Sequence, residues 1–220
     1  MTSAALRTIL EPAYGPCIHF NGVCRAVCIW KPEKGHIPRG FGGASGQADL
    51  VRLVLVTAEP GDPADDEQYQ GSATMMLTAA LENRKRYLVG GLRRNGRAEP
   101  YHEGLRRILK LCWSDLDSLE TQLARTWITN SVKCSALKSG GQIPSEVERV
   151  CVETYLQSEL SLFRRAFVLA LGGKAKNRLE RYGIRVDAIA QHPSARRRTN
   201  AELTWKSAAQ EFQEWLNHRE

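Results

Sequence analysis

Three polar residues stand just past three separate apolar runs: Glu59 after Val51 to Val56, Asn130 after Arg125 to Thr129, and His192 after Val186 to Gln191. A carboxylate supplies negative charge or takes a proton, an amide carries a donor and an acceptor together, and an imidazole titrates near neutrality. A lone histidine at a strand end is more often a hydrogen-bonded structural residue than a catalyst, but three strand ends with matching chemistry form a pattern. Around them Asp62 follows the turn Thr57-Ala58-Glu59-Pro60-Gly61, and Ser194 with Arg196, Arg197 and Arg198 follows His192. A hydroxyl and a run of arginines suit phosphate contacts. A second set is the thiols Cys24-x3-Cys28 and Cys134-x16-Cys151, with Cys17 and Cys112 apart from these pairs. In a reducing compartment six cysteines read as buried thiols or metal ligands rather than disulfides.

To gather three strand ends at one place, the chain needs an open sheet of parallel strands, whose ligands collect at the carboxyl edge. The β-branched runs predict strands at 51–56, 125–129, 166–171 and 186–191, the last treated as buried like the others. Apolar spacing predicts helices over 72–86, 102–124, 143–164, 174–181 and 200–218. Leu105, Ile108, Leu109, Cys112, Trp113, Leu116, Leu119 and Leu123 form the clearest stripe, read as core, with Cys112 a buried small hydrophobe. Residues 1–23 read as an irregular lead-in, 31–46 and 87–101 as glycine-containing connections, and 134–141 as a loop. Strands alternating with helices predict an α/β fold: one domain over 1–220, a three-layer α/β/α sandwich around a four-stranded parallel sheet. Gly172-Gly173-Lys174 lacks the outer glycine and the Ser or Thr of a phosphate-cradling loop.

Lys and Arg total 31 against 24 Asp and Glu, a net charge of +7, and the cations cluster at 84–86, 93–94, 174–181 and 196–198. Clustered cations favour a polyanionic partner, and nucleic acid leads. No run reaches the roughly 18 apolar residues of a membrane span, and no signal peptide opens the chain. A soluble, intracellular, cytoplasmic monomer associated with DNA is the expectation.

These residues resemble the uracil-DNA glycosylase superfamily over about residues 24–198. Thr57-Ala58-Glu59-Pro60-Gly61 is similar to its first motif, written Gly-Glu-Ala-Pro-Gly in the iron–sulfur family 4 and Gly-Gln-Asp-Pro-Tyr in family 1. Trp127 to Cys134 resembles the family-4 stretch whose asparagine reads the base, and His192-Pro193-Ser194 the second motif. The resemblance implies a DNA repair enzyme that flips uracil out of DNA and hydrolyses its N-glycosidic bond, leaving an abasic site. It implies His192 as donor to the uracil O2 and Asn130 as reader of O4 and N3–H. Glu59, or else Asp62, would supply the carboxylate; Tyr69 would stack on the base, beside Ala58, Pro60 and Gly61. It also implies a 4Fe-4S cluster held by Cys24, Cys28, Cys134 and Cys151. Here Cys24 and Cys28 have three intervening residues where the family has two, and Cys17 is a rival ligand. Family 4 carries its glutamate where this sequence has Ala58. Two alternatives therefore stay open: a protein that binds uracil-containing DNA with little turnover, and a metal-stapled DNA-binding module with a decayed site. The insert at about 64–125 has no role assigned by the resemblance.

Overall fold

Leu53–Thr57, Thr126–Asn130 and Phe167–Leu171 are buried at every position. Alternate residues explain why. Val54, Val56, Trp127, Val168 and Ala170 enter one apolar cluster, while Leu53, Leu55, Ile128, Leu169 and Leu171 enter another on the opposite face. A sheet covered on both faces requires apolar residues in both registers, hence the continuous β-branched runs.

The computed structural model of the chain describes residues 4–91, 93–94, 97–196 and 198–219. In order these form α1 (Ala4–Leu10), β1 (Gly42–Gly43), β2 (Leu53–Thr57), α2 (Ala73–Gly90), β3 (Arg93–Arg94), β4 (Arg97–Ala98), α3 (Pro100–Cys112), α4 (Leu119–Ala124), β5 (Thr126–Asn130), α5 (Ser145–Cys151), α6 (Gln157–Leu162), β6 (Phe167–Leu171), α7 (Gly173–Arg181), β7 (Ala188–Ala190) and α8 (Arg198–Asn217). The central sheet runs β1-β5-β2-β6-β7, with β5, β2, β6 and β7 parallel and β1 antiparallel to β5. Helices α1, α5 and α7 help cover one face, α3, α4 and α8 the other. The architecture is the expected three-layer α/β/α sandwich.

Several expectations are corrected. The sheet has a fifth strand, β1, inside the glycine-rich 31–46 segment. The lead-in contains α1 and a 3-10 turn at Glu11–Tyr14, whose Leu6, Leu10, Ala13 and Tyr14 are buried. One helix at 102–124 is two, parted after Cys112 and restarted where the Ser118 hydroxyl accepts from the Thr121 N–H at 3.1 Å. The segment 87–101 holds the end of α2, the β3–β4 pair and the start of α3. The last strand has only three residues and pairs with β6 alone; α8 packs on one of its faces and leaves Ile189 exposed on the other. Among the described residues no helix is long and apolar enough to cross a membrane.

Under the sheet a dry ion pair locks the site strand. Lys133 Nζ meets Glu159 and donates to Thr129 Oγ1 and the Asn130 carbonyl at 2.7 and 2.8 Å. Glu159 also accepts from Trp127 Nε1 at 2.9 Å and from Thr129 Oγ1 at 2.6 Å. Such satisfaction by several donors is what makes burial of both charges tolerable.

Candidate active site at the carboxyl edge of the sheet

A cavity of about 560 Å3 opens where β2, β5, β6 and β7 end. Its lining includes Ala58, Glu59, Pro60, Gly61, Asp62, Tyr69, Asn130, His192 and Ser194, so nine of the residues singled out in the sequence come together there.

Asn130 ends β5 and is 1% exposed. Its Nδ2 donates to the Arg39 carbonyl at 2.8 Å, and its Oδ1 accepts from the Thr57 hydroxyl. A carbonyl cannot donate, so the Arg39 contact settles which amide atom is nitrogen. One N–H and one lone pair of the amide remain for a ligand. Gly40 makes this possible: at φ +86° a Cβ there would lie 2.6 Å from Asn130 Nδ2.

His192 stands past β7, in a loop seated against α3 at Gly104, where a Cβ would come within 2.2 Å of the Pro193 carbonyl oxygen. The Ser194 N–H donates to its Nδ1 at 3.3 Å, and Ser194 Oγ lies 2.8 Å from the same atom. An N–H can only donate, so Nδ1 is an acceptor and the neutral ring carries its proton on Nε2. Burial holds the imidazole below its ordinary titration range, partly offset by Glu59 and Glu99. The Tyr101 ring stacks on it at 5.5 Å between centroids.

Glu59 is held differently. Its carboxylate accepts from Lys174 Nζ at 3.0 Å and Arg178 Nη1 at 2.6 Å, and Arg178 is itself shared with Glu148. Lys174 also donates to the Gly140 and Gly141 carbonyls, tying the motif turn to the 134–141 loop. Ser131 and Val132 N–H groups donate to the Thr57 and Ala58 carbonyls, so the turn continues the β2–β5 ladder. Asp62 is exposed at the rim. Tyr69 is buried, its hydroxyl donating to Glu67 at 2.9 Å and accepting from Asn83 at 3.1 Å, which fixes the ring.

The basic cluster at 174–181 is ion-paired, with Arg178 buried and Lys174, Lys176 and Arg181 partly exposed. Arg178 is buried between two glutamates, Arg181 pairs with Glu148, and Lys176 lies 3.6 Å from Glu180. Arg196 is exposed, and Arg197 lies outside the described residues.

Residues not anticipated come from the insert. Glu99, Tyr101 and His102 at the start of α3 and Arg84 on α2 all line the cavity. Glu99 caps α3, accepting from the His102 N–H at 3.0 Å, and its Oε2 also lies 2.8 Å from His102 Nδ1. Burial pushes the Glu99 carboxyl up, but these His102 bonds outweigh it and hold it below the usual value. Glu99-Pro100 is a helix-start signal, proline at the first helical position, that the glycine-rich surroundings obscured.

A small second cavity is lined by Cys17, Cys24, Cys28, Cys134 and Cys151 together with Tyr155 and His19. Cys112 sits apart, in the α3 core. Burial raises the Cys134 and Cys151 thiols, the latter to about 12, and the Cys24–Cys28 hydrogen bond raises Cys28 and lowers Cys24. Among the described residues no group of three or more His, Cys, Asp or Glu side chains is gathered closely enough to hold a metal ion. The thiols share a cavity without forming a closed ligand set.

The chain matches no protein-family model and no curated protein. Among solved structures it is similar to the crystal structure of wild-type SMUG2 from Pedobacter heparinus, with a TM-score of 0.46 and 12% identity over 76% of each chain.

Proposed function

We propose that the chain is a DNA glycosylase that hydrolyses the N-glycosidic bond of uracil in DNA, working on a flipped nucleotide and leaving an abasic site. The observation that carries this reading is the convergence of the motif turn, Asn130 and His192 on one cavity, with the imidazole neutral and its proton on Nε2. In the reaction the C1′–N1 bond breaks with its electron pair going to the base. Water adds to C1′, and its proton returns to the anionic base through solvent. His192 Nε2–H stabilises charge on the uracil O2 as it develops. The remaining N–H and lone pair of Asn130 match O4 and N3–H of uracil. Cytosine presents the reverse, and an amide pinned by Thr57 and Arg39 cannot turn to suit it. Tyr69 supplies a fixed ring for the base to stack on.

Glu59 supplies negative charge beside the sugar. Because Lys174 and Arg178 already pair with it, its field is weakened, and Glu59→Gln is expected to cost roughly tenfold in single-turnover rate, with Asp62→Asn costing less. The reverse ranking would assign the carboxylate to Asp62. The same pairing favours the alternative reading, a protein that binds uracil-containing DNA with little turnover. Incubation of stoichiometric protein with labelled uracil oligonucleotide, followed by alkaline cleavage, separates the two. An abasic product supports the glycosylase, and retention of intact uracil DNA supports the binder.

The reading includes a 4Fe-4S cluster on Cys24, Cys28, Cys134 and Cys151, with Cys17 beside them. Thiolate-bound iron would cross-link the N-terminal segment to the loop after β5 and to α5, a structural role. Anaerobically purified protein is expected to carry iron and acid-labile sulfide with broad visible absorption, retained in Cys17→Ser and lost in Cys134→Ser. Stoichiometric zinc without iron would overturn the cluster.

A further inference from the structure

Arg84 on α2 is 5% exposed and lines the cavity, yet among the described residues no carboxylate lies within ion-pair distance of its guanidinium. Its Nη1 lies 3.0 Å from His102 Nε2, its Nη2 donates to the Tyr101 hydroxyl at 3.2 Å, and its Nε has no partner. A guanidinium only donates, so His102 accepts on Nε2 and is neutral, with Nδ1–H donating to Glu99 at 2.8 Å. Glu99 thus reaches Arg84 only through an imidazole. The other buried cations differ: Arg178 has Glu59 and Glu148, Lys133 has Glu159, and Arg39 has Glu67 at 3.9 Å. A buried charge with no counter-ion is costly, and one that borders an open cavity is a site for a bound anion.

Its place in the cavity narrows the anion. Tyr101, which anchors Arg84, has its hydroxyl 3.5 Å from Thr57 Oγ1, the group that bonds Asn130, and its ring stacks on His192. Arg84 therefore belongs with the base-contacting residues and not with the exposed rim. Resting on the glycosylase reading of this pocket, we infer that Arg84 recognises negative charge on the nucleobase, so that the site prefers bases released as stable anions, those whose free N1–H is acidic. Cleavage leaves the electron pair of the broken bond delocalised over the ring, and a buried guanidinium offers it charge-assisted donors.

The test uses the full-length chain and Arg84→Met, which keeps the length of the stem and removes the charge. Free uracil and 5-fluorouracil are titrated calorimetrically at one mildly alkaline pH at which the fluorinated base is largely anionic and uracil largely neutral. Wild type is expected to favour 5-fluorouracil by about tenfold or more, and Arg84→Met to lose that preference. Unliganded Arg84→Met is expected to melt no lower than wild type, because a desolvated cation without a counter-ion has gone. An unchanged preference, or a variant that is unfolded or clearly less stable, overturns the inference. An equal loss in binding DNA that carries an abasic site assigns the charge to a strand phosphate and overturns it too. Excision of uracil by a wild type that does not distinguish the two free bases sinks the inference and leaves the glycosylase reading standing, whereas failure to excise or bind uracil at all sinks both.

Discussion

His192→Ala is expected to slow single-turnover uracil release by about a hundredfold or more, the scale for removing one preorganised donor to a developing oxyanion. Binding of uracil DNA should change little, because the donor is matched to charge that exists only as the bond breaks. The pH dependence gives a second signature. Burial lowers the folded imidazole's titration, so the ring stays neutral as pH falls through its ordinary range and gains its second proton only below it. That proton goes to Nδ1, where the Ser194 N–H now donates. The rate should therefore hold through the usual histidine range and fall at more acidic pH. Stability follows the same sign: the unfolded chain takes up the proton at higher pH, so the contribution is present above the unfolded pKa and lost as pH falls. Thermal melts of His192→Ala should lose less on acidification than wild type. A wild-type rate in His192→Ala would remove the imidazole from the mechanism.

The central strands were legible because burial on both faces leaves a plain mark, a continuous apolar run, and β2, β5 and β6 carry it. β7 carried it only in part: Ala188 and Ala190 are buried, but Ile189 faces outward at a sheet edge, where sequence alone does not tell an edge strand from a central one. α1 was hidden by brevity, seven residues being too few for a period to repeat. The split between α3 and α4 was hidden because the apolar spacing of Trp113, Leu116 and Leu119 runs on across a turn; all three still pack against the same core. Only the Ser118 cap marked the restart.

At the site, residues at strand ends were readable and those brought in by tertiary packing were not. Glu59, Asn130 and His192 sit at positions fixed by the sheet itself. Arg84, Tyr101 and His102 reach the cavity only because α2 and α3 lean over its edge, and Arg84 looks in sequence like one of three consecutive surface cations. Its neighbour Arg86 is half-exposed and pairs with Asp66 at 2.8 Å, as such residues usually do. In the 174–181 cluster the ion pairing was hidden, since four positive charges on a helix do not reveal that Glu59 and Glu148 lie beneath them.

Asn130→Asp is expected to have the largest effect on uracil itself, a loss on the order of a thousandfold in excision, because the change removes a donor and adds repulsion. In wild type Nδ2 gives one hydrogen to the Arg39 carbonyl and keeps one for O4 of the base. A carboxylate has neither: its second oxygen would face the Arg39 carbonyl 2.8 Å away and the O4 acceptor together. Thr57 would still donate to the first oxygen, so β2 and β5 stay paired and the strand end keeps its position. The acceptors that repel O4 attract the N4 amino group of cytosine, so the variant should release cytosine at a rate above the wild-type background while uracil falls. Measuring both excisions on matched oligonucleotides separates lost recognition from lost folding, because a collapsed site would lose both. Unaltered uracil excision by Asn130→Asp would mean that the amide is a strut between Thr57 and Arg39 and that the base is read elsewhere in the cavity.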